Sequence, residues 1–514
     1  MRLFIRQIRK IHYQTSRNLT CLQNRTALEQ FFQRFVNKNL YRQNKSCFVR
    51  PPFQCMHNYC TKTDNPDKPA SINQLSPVAF RDALKKANID RCFILNLDDR
   101  IDYSHQILEK LIPLEQLKAL EYEHEAIFFE IGARTNSLMA VFIWKTNRGQ
   151  ASGGVDFKYQ PNMADFIQHG CRFSKTLGVK CALAGLWSGG GKGIIAAPEE
   201  GSKSLASEFR RKAFMDFGEF LTTLNGCFIA GYGVGGSVED TDTMFSQTRY
   251  VSNLSPDYGG SSNSYHYTAL GVIKSMEAAL TFLNLGTLKG KTVAIQGAGR
   301  VGEVIIGELL QKGVANITVS ETNSFRAEDV RQTFAEIGSG RLTINKVDAV
   351  DTSIFCQPCD IFAPCARGNT LDQYTIPMLD TKIICGSSNF PVHSVDDLEL
   401  LKKNNILYVT DVVPNRMGIV ANSLEMYGRM EDDPELKKHL SYDWEHSIYR
   451  TTLRILEAAA EHNIYPKAAA DMLGKKLSLE INPWFPGRTQ NIIRGLKSSG
   501  WNEGRDFWRE RWSY

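Results

Sequence analysis

The sequence predicts an α/β protein with two main domains and a cleft between them. Two observations carry this reading. From about residue 78 the chain alternates segments with the apolar period of helices and short apolar runs rich in β-branched and aromatic residues. Near residue 292 a strand, a glycine-rich turn and a helix follow one another directly, the opening unit of a doubly wound parallel sheet. The boundaries read as 78–263 for a first, substrate-type domain, 264–411 for a Rossmann-type domain, and 412–514 for C-terminal helices that return to brace the cleft.

Residues 1–63 hold twelve Lys/Arg and a single acid, Glu29, so this segment is +11 and the rest of the chain −5, within a total of +6. Its amphipathic start, MRLFIRQIRKIH, and its Arg, Ser, Thr and Asn content resemble a mitochondrial transit peptide, which places the protein in the matrix; a basic disordered tail is the alternative. The mildly acidic body argues against a nucleic-acid surface. No run approaches the roughly 18 apolar residues of a membrane span. Residues 64–77, mixing Pro, Asp, Asn and Ser, read as a linker.

Beyond the linker, LEKLIPLEQLKALEYEHEAIFFEIG runs from an amphipathic helix into a strand, and SLMAVFIWKT is a second strand. MADFIQHGCRFSKTLGVKCALAG is helical until its glycines begin, and EFRRKAFMDFGEFLTTLNG is a helix closed by Asn225-Gly226. The twelve cysteines follow no regular framework, and Cys356-Gln-Pro-Cys359 lacks a second pair or a histidine cluster, so no metal site is expected. The last fourteen residues carry three of the seven tryptophans; so much aromatic area packs on its own domain or on a neighbouring subunit.

In KTVAIQGAGRVGEVIIGELLQKG, Gly297-x-Gly299-x-x-Gly302 forms the turn, and Arg300 and Val301 open the helix. The first glycine permits the tight turn, the second lets backbone approach a pyrophosphate, and the third lets helix pack on strand. A following strand ends in Glu321, twenty-four residues after Gly297. A carboxylate there accepts both ribose hydroxyls and repels a 2′-phosphate, so NAD is expected over NADP.

The stretch KCALAGLWSGGGKGII raises a different chemistry. Lys192 is not a P-loop lysine, because Leu186 and Gly193 stand where that motif needs Gly and Ser/Thr. Glycines 189–191 would let a small substrate approach the backbone, with the ammonium aimed at it. Desolvation and the neighbouring cation Lys180 would lower the pKa of such a lysine. For a substrate with a carboxylate beside its reacting carbon, one lysine holds the carboxylate and the other exchanges protons at that carbon.

At these residues the chain resembles the Glu/Leu/Phe/Val dehydrogenases, and leucine and phenylalanine dehydrogenases most. The stretches Ala151-Ser-Gly-Gly154, KCALAGLWSGGGKGII, LNGCFIAGYGVGGSVEDTD, YTALGVIKSMEAA, VAIQGAGRVGE, CDIFAPCARGNTL, GSSN and DVVPNRMGIVAN occur in the family's order over more than 300 residues. The resemblance implies that Gly153 and Gly154 line the substrate pocket, Lys180 binds the α-carboxylate and Lys192 is the catalytic lysine. It implies that Thr268, Asn389 and Asn415 serve the cofactor side of the cleft and that Ile419 shapes the side-chain pocket. The implied reaction is oxidative deamination of an L-amino acid to a 2-oxo acid, ammonia and NADH, in a homo-oligomer.

The chain departs from the pattern where the family carries a catalytic Asp: that position is Gly233, with LNG before and VED after both in register. The glycine pair is followed by Val155-Asp156 in place of Thr-Arg, and Asn415 by Arg416-Met417 in place of Ala-Gly, two bulky residues expected to intrude on the cleft. Asp156 is a candidate substitute carboxylate by proximity within the motif. Three readings stand: a dehydrogenase with a different base, a catalytically weak nucleotide-binding relative acting as sensor or partner subunit, and an imine-reducing oxidoreductase on the same frame.

Overall fold

A computed structural model describes residues 71–504 except 99, 199–206 and 234. Segment 1–63, where a transit peptide is expected, most of the expected linker and the last two tryptophans lie outside the described residues.

The first sheet has seven strands: β1 (Arg91–Asn96), β2 (Ile101–Tyr103), β3 (Ala126–Ile131), β4 (Leu138–Ile143), β5 (Ala151–Lys158), β6 (Gly189–Ala196) and β7 (Phe228–Tyr232). Their order is β2-β1-β3-β4-β6-β5-β7. Neighbours are antiparallel from β2 through β6, and β6, β5 and β7 are mutually parallel. Strands β3 and β4 are buried along their whole length, because both faces of the sheet are covered. Phe93, Phe128 and Val141 face a layer holding Phe214, Phe217 and Phe220 of the Ser207–Thr223 helix. Ile94, Phe129 and Phe142 face Phe80 and Phe166 on the opposite side, as the two-residue period of a strand requires.

Two expectations are corrected here. Residues 71–76, read as linker, contribute Ile72 and Leu75 to the second of these cores, where they are 2% and 9% exposed. Ser76 then caps the Pro77–Lys86 helix by accepting from the Ala79 N–H. The expected single helix before β3 is two short ones, Gln106–Leu111 and Leu114–Ala119, separated at Pro113, which cannot supply the backbone donor that continuity needs.

The second sheet is parallel throughout: β8 (Thr292–Gln296), β9 (Asn316–Glu321), β10 (Leu342–Lys346), β11 (Ile361–Pro364), β12 (Ile383–Ile384) and β13 (Leu407–Tyr408). Its order, β10-β9-β8-β11-β12-β13, is the doubly wound 3-2-1-4-5-6 arrangement, with a crevice at the carboxyl ends of the strands where the order reverses.

The C-terminal helices link the two sheets. Helix Ile448–Glu461 packs on Ser264–Phe282, and Pro466–Ser478 packs on Met163–Leu183. The chain then goes further than bracing a cleft. Ile493 and Leu496 of the Arg488–Ser498 helix enter the core of the first sheet, and Trp501 closes it. The Trp501 ring lies edge-on to Phe128 at 5.2 Å and against Phe220 at 6.0 Å, and its Nε1–H donates to Thr223 Oγ1 at 3.0 Å. Of the two places expected for the aromatic C-terminus, its own domain or a neighbouring subunit, Trp501 takes one within its own chain, on the first sheet. Replacing this buried ring by Trp501→Ala should cost about 3–5 kcal/mol through lost burial and a residual cavity. Urea denaturation of the variant, followed by far-UV circular dichroism, measures that loss.

Candidate active site

The site lies where the parallel strands of the first sheet end. Strand β5 runs between β6 and β7, with Val155 opposite Gly193 on one side and Tyr232 on the other. Asp156 is opposite Ile194, so Lys192, two residues earlier on β6, presents its side chain on the same face. Lys192 Nζ lies 2.6 Å from Asp156 Oδ1, and both side chains are 2% exposed. The other carboxylate oxygen, Oδ2, is 2.7 Å from His169 Nε2.

What makes room for this carboxylate is the residue beside it. A Cβ placed on Gly233 would fall 1.9 Å from Asp156 Oδ1 and 2.7 Å from Val155 O. The side-chain space at position 233 is thus filled by the carboxylate of the neighbouring strand. Burial pushes the Asp156 carboxyl upward, but the Lys192 cation and the His169 hydrogen bond outweigh it and hold the group below the usual carboxylate range. His169 is lowered by its own burial, against a smaller opposing pull from Asp156.

One helix, Met163–Leu183, supplies the rest of this wall. Asn162 caps it through the Asp165 N–H. His169, Phe173 and Lys180 follow at spacings of four and seven residues, which keeps them on one stripe. The Phe173 ring lies 4.9 Å from Lys192 Nζ and 4.9 Å, edge-on, from the ring of Phe390. Phe390 comes from the second sheet's side and holds a positive φ of 49°, fixed where its N–H donates to Asp411 Oδ2.

The three glycines before Lys192 have another role than the one expected. They lie within β6, and a Cβ on Gly189, Gly190 or Gly191 would collide with Lys145 O, Ser174 O or the Phe228 ring, at 2.3, 2.2 and 2.5 Å. They let the helix and neighbouring chain press on the strand, so no ligand needs to approach them. Gly153 and Gly154, by contrast, do line a cavity of about 140 Å³, with Lys180, Tyr232, Asn415 and Ile419. Lys180 Nζ donates to Asn389 Oδ1 at 2.9 Å, and Asn415 Nδ2 donates to the same oxygen at 3.0 Å. Among the described residues, Asn415 Oδ1 and Asn422 Oδ1, both on residues lining this cavity, are buried acceptors without a donor. Burial pushes Lys180 down to about 8, Asp411 opposes that shift, and Lys192 adds a smaller downward push. A larger surface hollow beside Phe485, Arg488 and Asn491 holds none of these groups.

On the second sheet Gly297 has φ +98°, which only glycine adopts freely, and a Cβ on Gly302 would strike Gly297 O at 2.3 Å. Nothing lies within 4 Å above Gly299, the N-cap of helix Arg300–Gln311. Val301 packs toward the sheet and Arg300 is exposed. Glu321 accepts from the N–H groups of Ala298, Thr322 and Asn323 at 2.8, 2.7 and 2.9 Å, so it braces the turn from the end of β9. The open helix N-terminus above a strand-end carboxylate fits a dinucleotide: Gly297, Gly299 and Gly302 would admit its phosphates and Glu321 its ribose. Thr268 Oγ1 donates to Ser264 O at 2.8 Å and stands 3.0 Å from the Cβ position of Gly418. Asn389 and Asn415, expected on the cofactor side, adjoin Lys180.

Arg416 and Met417 do not intrude. Met417 is buried among Val412, Val420 and Ile455. Arg416 Nη1 donates to Leu183 O at 2.8 Å, capping the helix that carries Lys180, while Nη2 bonds His446 O and Thr451 Oγ1. Burial, with Arg454 nearby, pushes its guanidinium down to about 9. The side chain therefore turns behind the cleft wall. Sequence reading missed His169, Phe173, Phe390 and Asn422. The helical spacing from Lys180 is the signal that finds the first two; nothing local points to the others.

Comparison with known proteins adds the following. Residues 259–480 match the family model described as glutamate/leucine/phenylalanine/valine dehydrogenase. The chain is 32% identical to a phenylalanine dehydrogenase of Lysinibacillus sphaericus over 338 residues, covering 66% of this chain and 84% of that one. It is 31% identical to a leucine dehydrogenase of Bacillus subtilis over 365 residues, covering 71% and 94%. The crystal structure of L-tryptophan dehydrogenase from Nostoc punctiforme superimposes with a TM-score of 0.56 at 27% identity, over 74% of this chain and 99% of that one.

Adding one methyl group at the crowded position gives a direct check of the local geometry. Gly233→Ala must displace both Asp156 and the β5 backbone, and is expected to cost about 1–3 kcal/mol of stability. Thermal melts beside the wild-type protein measure it.

Proposed function

The chain belongs to the glutamate/leucine/phenylalanine/valine dehydrogenase family, whose members use NAD(P), and from that premise we propose that it oxidises an L-amino acid with an apolar side chain, using NAD, to the 2-oxo acid and ammonia. The observation that carries this reading is the cavity beside Gly153 and Gly154. It offers one buried ammonium, Lys180, for a carboxylate, and its lining residues Asn415 and Asn422 each hold a buried amide oxygen without a donor. Leu177 and Ile419 supply an apolar side to the same space. Names of relatives that act on phenylalanine, leucine, valine and tryptophan agree with such a substrate.

Within this reading each group has a task. Lys180 exchanges Asn389 Oδ1 for the substrate carboxylate. Lys192 faces the α-carbon end, where its ammonium steadies the oxygen that develops as water adds. Gly297, Gly299, Gly302 and Glu321 would hold the NAD, which would supply a hydride acceptor for the α-carbon. Phe173 and Phe390 keep bulk water from the lysine, as imine chemistry requires. Glu321 supports the choice of NAD by repelling a 2′-phosphate. Assembly as a homo-oligomer is part of the proposal and is supported by exposed Leu479, Ile481, Trp484 and Phe485, which crowd one short segment.

NADH formation on a panel of L-amino acids tests the function, and Lys192→Ala should abolish it. Lys180 binds a carboxylate only while protonated, so kcat/KM for the amino acid should fall as pH rises through about 8. Lys180→Met should remove that limb of the profile and raise KM roughly 10- to 100-fold, the loss of a charge-assisted hydrogen bond of about 1.5–3 kcal/mol.

A further inference from the structure

The proposed reaction releases a proton, and the family position for its acid–base carboxylate holds a glycine. We infer that Asp156 performs that acid–base work from the adjacent strand, in the space left by Gly233, and that His169 carries the proton from it to solvent. The inference rests on the proposed function and adds two residues to it.

Three facts converge on Asp156. Its Oδ1 occupies the place a side chain at 233 would take, 1.9 Å from the Cβ position. The same oxygen lies 2.6 Å from Lys192 Nζ, so the carboxylate stands beside the residue expected at the reacting carbon. Gly154, two residues earlier on the same face of β5, lines the substrate cavity. Together they place a carboxylate of β5 in the side-chain space of position 233, beside Lys192. The outlet follows from the second oxygen. Asp156 Oδ2 meets His169 Nε2 at 2.7 Å, and the His169 side chain is 14% exposed where Asp156 and Lys192 are 2% exposed. His169 is therefore the more solvent-exposed end of a three-member chain.

The substrate ammonium gives one proton to Asp156 Oδ1, and the freed lone pair forms the C=N bond as the α-hydrogen leaves as hydride to oxidised nicotinamide. Water adds to the imine carbon, losing a proton to the nitrogen. The C–N bond then breaks, the carbinolamine hydroxyl becomes the carbonyl, and its proton leaves with ammonia as ammonium. The proton taken first stays on Asp156. At rest neutral His169 donates Nε2–H to Asp156 Oδ2. To discharge the carboxyl, the imidazole exchanges through solvent to its Nδ1–H tautomer and the carboxyl turns its proton toward Nε2. That nitrogen accepts it as the Nδ1 proton goes to solvent, restoring the carboxylate and its Nε2–H hydrogen bond.

The experiment compares wild type, Asp156→Asn, Asp156→Ala and His169→Gln, all as full chains with folding checked by circular dichroism and thermal melts. Asp156→Asn should lower kcat about 10²- to 10⁴-fold with KM little changed, and added formate should restore part of the loss in Asp156→Ala. His169→Gln keeps a donor to Asp156 but cannot relay a proton. Its kcat should fall about tenfold and recover with rising imidazole buffer. In a single turnover followed with a pH-indicator dye, its proton release should lag behind NADH, whereas the two coincide in wild type. The His169→Gln arm decides the matter if the uncompensated Lys192 charge prevents the Asp156 variants from folding. Wild-type turnover that persists within threefold in folded Asp156→Asn overturns the assignment of Asp156. Proton release that keeps pace with NADH in His169→Gln overturns the outlet. Absence of wild-type turnover on every amino acid overturns the proposed function itself, a result separate from both.

Discussion

The interaction on which the site depends is the buried pair between Lys192 and Asp156. Removing two charges from water costs several kcal/mol per ion, recovered only when geometry is good and the remaining lone pairs are satisfied. The protein meets both demands with secondary structure. Adjacent parallel strands bring the two groups to 2.6 Å, and His169 takes the second oxygen. Gly233 yields its side-chain space on the opposite flank. The glycines of β6 let the helix carrying His169 and Phe173 lie close enough to complete the enclosure. None of these features is independent: a side chain at 233 or 190 would shift a strand or a helix and open the pair to water.

Lys180 shows how the same cleft is kept ready for a ligand. Its ammonium already has a neutral acceptor in Asn389, itself held by Asn415. A substrate carboxylate would replace a neutral acceptor with an anionic one, and hydrogen bonds between charged partners are the stronger kind. The gain on binding is thus the difference between two acceptors, which is smaller than the full worth of an ion pair. It also leaves the lysine ordered beforehand, so little side-chain entropy is lost when the ligand arrives.

Much of this was legible in the sequence, for identifiable reasons. The glycine turn at 297–302 and the alternation of strands with helices are local signals, and they led to the doubly wound sheet. Lys180 and Lys192 stood out because glycine surrounds the second and motif order fixed both. The departure from the family pattern at Gly233 was legible because its flanks held register. The nearness of Asp156 was not, since Asp156 and Gly233 are 77 positions apart in the chain and become neighbours only when β5 is placed between β6 and β7, an order no local pattern encodes. Arg416 misled for the same reason. Its partners, Leu183 O and Thr451 Oγ1, lie far along the chain in both directions, and its size alone suggested obstruction. The glycines 189–191 were read by type, whereas their meaning lies in what crowds them.

The return of Trp501 to the first sheet has a consequence for how the chain is made. Strand β7 ends at Tyr232, about 270 residues before the ring that closes its core. At about 5–20 residues per second of synthesis, the sheet waits on the order of 15–50 s with Phe128 and Phe220 uncovered. During that interval the nascent first half is an unfinished surface, and its protection falls to the ribosome, to chaperones, or to the helix Ser207–Thr223 alone. Completion of the first sheet is timed by a ring made long after its last strand.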